Sequence, residues 1–149
     1  AFGQVDQIRQ AIAVKVRVVE EDPLERGRRA TLNVGHTIGH AVESASGFKL
    51  SHGEAVAIGM AAEAKLAERL GLSDSSLIER IVRICSTVGL PIRSPGLDAD
   101  QVRQLMSSDK KKAGKKLKFA FARRVGEAVW GVEADEVLLR EVIAETVRA

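Results

Sequence analysis

Residues 28–43 read RRATLNVGHTIGHAVE and residues 50–60 read LSHGEAVAIGM. Set on a helix at about 100° per residue, positions 29–46 bring Arg29, Asn33, His36, His40 and Glu43 into an arc of about 80°. Ala30, Val34, Ile38, Ala41, Val42 and Ala45 take the opposite side. The spacing predicts a helix over 29–46 with an apolar face for packing. Its polar stripe holds two imidazoles, a guanidinium, an amide and a carboxylate, whereas an ordinary solvated face is built from Glu, Lys and Gln. Gly35 and Gly39 flank the stripe one turn apart. Each costs a helix interior about 1 kcal/mol relative to Ala, so a neighbouring helix or a ligand is expected to approach closely there.

All three histidines of the chain, His36, His40 and His52, fall in this region. Ser51 and Glu54 have the spacing of a capping box, which puts His52 in the first turn of a second helix, where exposed backbone donors favour anions. Two histidines one turn apart and a third at a helix start can share one metal ion. Three protein ligands with an open position is the usual catalytic arrangement of zinc. Alone, the residues also nominate Glu43 or Glu54 as a further ligand, although Glu54 is already explained by the cap. The plain alternative is a structural histidine pair.

Outward from this region the punctuation is helical. Val5, Ile8, Ile12, Val16 and Val19 recur at three and four up to about Glu21, and Pro23 forces a break. Lys15 falls on that stripe. Facing inward, it would need an anionic partner, and at the stripe's edge it would snorkel to water. The Ala-rich helix after Ser51 should run to Leu70 and end at Gly71. Ser73 or Asp74 starts another helix that ends at Gly89, and Asp98 with Gln101 starts the next. In residues 116–132 the period changes: Leu117, Phe119 and Phe121 alternate, then a turn at Val125–Glu127 precedes Val129 and Val132, which predicts a small hairpin. A last helix from about Ala134 to Arg148 should bury Val137, Leu138, Val142, Ile143 and Val147. The fold class is therefore mainly α, one multi-helix domain over 1–149 with a small β-hairpin near its C-terminus.

Composition narrows the function. With 149 residues, 45% apolar and 29% charged, the chain suits a single globular domain and lacks the long apolar run of a membrane span. The net charge of +3 is local, since six of the nine lysines lie between Lys110 and Lys118 and the remainder carries −3. That pattern suits a local anion site or a solvated loop. A basic module for nucleic acid is the remote alternative, and the few aromatics make a poor stacking platform. Cys85 is alone, which excludes an internal disulfide and suits the reducing cytoplasm; a small buried hydrophobe is the plain reading of it. No Walker loop and no GxGxxG after a strand is present, so nothing here cradles a nucleotide by itself.

The strings around His36 and His52 resemble the signature of 3-dehydroquinate synthase. The resemblance extends to Lys15 with VVEEDPLERG ahead of them and to a later DKK element, Asp109, Lys110 and Lys111. It implies a two-domain enzyme whose amino-terminal, Rossmann-like half binds NAD while this helical half brings zinc and most substrate contacts. Such enzymes convert 3-deoxy-D-arabino-heptulosonate 7-phosphate to 3-dehydroquinate and phosphate, in the shikimate pathway of aromatic amino acid biosynthesis. The steps are transient oxidation by NAD, phosphate elimination, re-reduction, ring opening and aldol closure. By matching positions, His36 and His52 would be zinc ligands and His40 would assist proton transfer. Lys15, Arg29 and Asn33 would bind the substrate's carboxylate, hydroxyls or phosphate. Glu25 would lie near the metal, and Lys110 or Lys111 would reach the substrate. The family draws its third ligand, a glutamate, from the half not seen in this chain, which begins at Ala1 without Met. A carboxy-terminal domain, inactive by itself, with the NAD-binding domain as its partner is therefore expected, and a homodimer is left open. The rival reading is a sugar phosphate cyclase of the deoxy-inosose or valiolone type, whose substrates lack the carboxylate.

Overall fold

A computed structural model of the chain describes residues 2–24, 27–111 and 117–148. Among these, six α-helices, one 3-10 helix and one hairpin follow in order: α1 (Phe2–Glu21), the 3-10 helix (Arg28–Asn33), α2 (His36–Ala45), α3 (His52–Arg69), α4 (Ser75–Thr87), α5 (Ala99–Lys111), β1 (Phe119–Arg124), β2 (Glu127–Val132) and α6 (Glu136–Val147). The mainly α domain with a late hairpin agrees with the sequence pattern, as do most helix ends. Ser51 and Glu54 form the capping box of α3, and Asp74 caps α4. Gly71 and Gly89 take positive φ just beyond α3 and α4.

The helix α3 is the central element, because its run of small residues lets α2, α4, α6 and β1 all pack on it. One side of it joins Ile58 and Leu66 to Ile38 and Val42 of α2, Val102 and Met106 of α5, Phe119 and Phe121 of β1, and Leu139, Val142 and Ile143 of α6. Ala57, Ala61 and Ala64 on another side meet Leu77, Ile81 and Cys85 of α4. Each large apolar side chain in such a core contributes roughly 1.5–3 kcal/mol by leaving water. The α2–α3 crossing is the tightest. A Cβ built on Gly59 would stand 1.9 Å from the Gly35 carbonyl oxygen, and one on Gly39 would stand 3.0 Å from that of Ala55. A neighbouring helix is thus the reason for the glycines.

The hairpin pairs Phe121 with Val129 and Ala120 with Trp130 in antiparallel register. Gly126 makes the turn at φ 83° and Gly131, at φ 73°, occupies the irregularity between the Ala120 and Phe119 pairs. The Phe119 and Phe121 rings stack 5.2 Å apart.

Three expectations need correction. The helix over 29–46 is interrupted, because Gly35 adopts φ 81° and separates the 3-10 helix from α2. The apolar stripe of α1 is not covered: Val5, Ile8, Ile12 and Val16 are 46–59% exposed. The chief contact of α1 is with the 3-10 helix, and no described element lies along the stripe. Lys15 is accordingly exposed instead of buried. In α6 Val137 faces solvent, and Leu139 takes the buried position instead.

Candidate metal centre

His36 is the first residue of α2, His40 follows one turn later, and His52 opens α3. The turn after Ala45 folds α3 back along α2, setting Gly39 against Ala55 and Gly35 against Gly59 and bringing the His52 ring up to those of His36 and His40. The three imidazole centroids lie 5.2, 5.5 and 5.5 Å apart. Each ring can offer a nitrogen to a common point, with those atoms within 4.8 Å of one another. The sequence brought these residues together correctly although their helix is not the continuous one drawn from it.

The ring nitrogens are not equivalent. Nδ1 of His36 lies 3.2 Å from the Val34 carbonyl oxygen, which can only accept, so Nδ1 donates. Nδ1 of His52 lies 3.3 Å from Oε2 of Glu43. With Nδ1 engaged in this way, Nε2 is the nitrogen each ring offers to a metal, and an oxygen acceptor behind the ring is the usual support of a metal-binding histidine. No hydrogen bond of this kind holds His40 among the described residues. Its pKa lies below the ordinary histidine value, through desolvation first and then through the charges of His36 and His52, opposed by Glu43. Imidazole nitrogens of this kind suit zinc and similar divalent ions, so the donor set fits such a metal.

His36 and His40 open onto a cavity of about 480 Å³ that Asn33, Thr37 and Ser44 also line. Its opposite wall is Leu105, Met106, Leu117, Lys118, Phe119 and Trp130. Apolar side chains interspersed with a few polar groups, Lys118 among them, are what a small polar substrate requires.

Other site residues named from the sequence are placed differently. Arg29 lies on the 3-10 helix, its guanidinium donating to the Pro23 carbonyl oxygen at 2.9 Å. Asp22 holds that segment by accepting from the amides of Gly27 and Arg29. Neither Arg29 nor Lys15 lines the cavity. Lys110 and Lys111 end α5, and Glu25 lies outside the described residues. Glu54 is committed to the α3 cap, accepting from the Ser51 amide at 2.8 Å. Cys85 is buried, and burial raises its thiol pKa, as befits a core residue.

Two contributors were missed. Lys118 lines the cavity, but in the sequence it is one more member of a lysine run. Glu63, buried in α3, accepts the amides of Gly35 and Ile38 at 2.6 and 3.0 Å. Its only sequence signal is a carboxylate among the buried alanines of an amphipathic helix.

The model of a family described as 3-dehydroquinate synthase C-terminal matches residues 4–112. The 3-dehydroquinate synthase of Acetivibrio thermocellus is 43% identical over 133 residues, 89% of this chain and 37% of that protein. That of Dehalococcoides mccartyi (strain BAV1) is 40% identical over 139 residues, 93% of this chain and 38% of that protein. The chain thus spans less than two fifths of the length of these relatives. Among solved structures, a 2-deoxy-scyllo-inosose synthase complexed with carbaglucose-6-phosphate, NAD+ and Co2+ superposes with a TM-score of 0.80 at 29% identity, covering 91% of this chain and 40% of that one.

Proposed function

Because the chain belongs to the 3-dehydroquinate synthase C-terminal family, we propose that it supplies the metal and substrate groups of an enzyme converting 3-deoxy-D-arabino-heptulosonate 7-phosphate to 3-dehydroquinate and phosphate. The observation that carries this reading is the convergence of His36, His40 and His52 on one point beside the cavity that His36 and His40 line, within the segment that the family model covers. The chain's share of its relatives, together with the uncovered stripe of α1, supports an NAD-binding domain as partner.

Bound here, a divalent ion such as zinc would acidify the substrate hydroxyl that is oxidised, and NAD, held mainly by the partner domain, would accept and return the hydride. His36 and His52 would hold the ion through Nε2, with the third, anionic ligand that the resemblance implies coming from the NAD-binding domain. His40, one turn away, is left to move a proton at the substrate. Asn33 and Lys118 orient its polar groups from opposite walls of the cavity. Lys15, Arg29, Glu25, Lys110 and Lys111 are assigned by the resemblance to substrate binding and catalysis. For Arg29 this requires its guanidinium to leave the Pro23 carbonyl. Cys85, with no second cysteine to pair with, supports a cytoplasmic location.

The likeness to a deoxy-inosose synthase favours a second reading, a cyclase acting on a sugar phosphate without a carboxylate. Identities of 40–43% with the dehydroquinate synthases favour the first. The test joins this chain to the amino-terminal half of such a relative and follows phosphate release with NAD and zinc. Release from 3-deoxy-D-arabino-heptulosonate 7-phosphate, lost in His36→Ala, is the expected result. A hybrid that binds zinc and NAD but acts only on a carboxylate-free sugar phosphate overturns the reading in favour of the second.

A further inference from the structure

Glu63 is 1% exposed and sits in the middle of α3. A buried carboxylate is costly unless its oxygens are satisfied, and here both accept from the backbone of another helix, Oε2 from the Gly35 amide at 2.6 Å and Oε1 from the Ile38 amide at 3.0 Å. Those amides belong to the N-cap and the third residue of α2, donors that nothing inside a helix can satisfy. Gly35 has no side chain to cap its own helix, so the cap comes from α3. The reach exists because Gly59 lies one turn before Glu63 on the same face of α3, and its missing Cβ admits the Gly35 carbonyl.

Between the two clamped amides stands His36. We infer that Glu63 is a positioning residue, whose buried carboxylate fixes the rotation and height of the first turn of α2 against α3 so that His36 and His52, from different helices, present Nε2 to the same divalent ion. This inference rests on the reading of His36 and His52 as metal ligands. In Glu63→Gln the shape is kept, but the amide nitrogen cannot accept, so one α2 amide loses its partner and the charge is gone.

The test titrates the chain with Co2+, reading the d–d absorption of the bound ion and its affinity by competition with a chelator. Wild type is compared with Glu63→Gln, with Glu63→Asp, and with Ile81→Ala, which opens a cavity in the separate cluster between α3 and α4. Glu63→Gln is expected to bind Co2+ about tenfold more weakly with an altered spectrum. Glu63→Asp, which keeps the charge on a shorter arm, falls between, and Ile81→Ala keeps wild-type affinity and spectrum despite its lower stability. Should Glu63→Gln not fold, the same comparison is made with Glu63→Asp. Wild-type affinity and spectrum in the folded Glu63 variant overturn the clamp, as does an equal loss in Ile81→Ala. A wild-type chain that takes up no Co2+ overturns the metal reading on which the clamp rests.

Discussion

Nδ1 of His52 and Oε2 of Glu43 are 3.3 Å apart across the turn that joins α2 to α3. The contact orients the ring, and a carboxylate behind an imidazole raises its strength as a ligand. Glu43→Ala should therefore weaken zinc binding by about tenfold while leaving the fold intact, since the Glu43 carbonyl that closes the turn is retained. Chelator competition and far-UV circular dichroism check the two halves of this expectation.

The crossing of α2 and α3 tolerates no side chain at Gly59. Gly59→Ala should cost at least about 3 kcal/mol, the upper end for overpacked cores, because the intruding atom meets backbone and not a flexible side chain. Gly53→Ala, in the first turn of the same helix with nothing within 4 Å, should be neutral or stabilising by up to about 1 kcal/mol. Urea midpoints of the two variants give the comparison.

Acid should weaken the attachment of α6. A hydrogen bond from Arg103 holds Glu136 below the ordinary glutamate pKa of 4.5, and one from Arg69 does the same for Glu145. A carboxylate depressed in the folded state contributes stability that is fully present above its unfolded pKa and is lost as pH falls through the folded value. The contribution of these two pairs should thus be level from neutral pH to about 5 and decline below 4.5. These pairs are partly exposed, so each contributes under about 1 kcal/mol. Arg103→Met should reduce the stability difference between pH 6 and pH 3 in denaturant titrations.

Much of this architecture is legible in the sequence because its helix signals are local. Ser51 with Glu54, Asp74, Gly71 and Gly89 each act within one turn of themselves, and all four do in the structure what their residue types predict. What escapes is set by neighbours. A helical wheel through 29–46 has no way to register the positive φ of Gly35, which moves Arg29 off the stripe while Asn33 stays at the cavity. The α1 stripe reads as buried, but none of the described elements covers it. Glu63 looks like a stray acid until α2 is laid across it, and Lys118 is hidden among its neighbouring lysines.

Lys118 gives a separate expectation for anions. It shares the cavity wall with Trp130, the chain's sole tryptophan, whose fluorescence should report on occupancy. Phosphate is expected to change that emission, and Lys118→Met should weaken its binding about fivefold, equivalent to about 1 kcal/mol. Lys49→Met, which removes an exposed lysine outside the cavity, should leave the titration unchanged.

The division of labour among the histidines is tested most directly by zinc affinity in His36→Ala, His40→Ala and His52→Ala. With one ligand outside the chain, wild type should bind zinc loosely; His36→Ala and His52→Ala should each lose more than about tenfold, while His40→Ala keeps most of the affinity. Tight wild-type binding abolished equally by all three substitutions would contradict the account, and would mean that the three imidazoles form a closed site with none left to carry a proton.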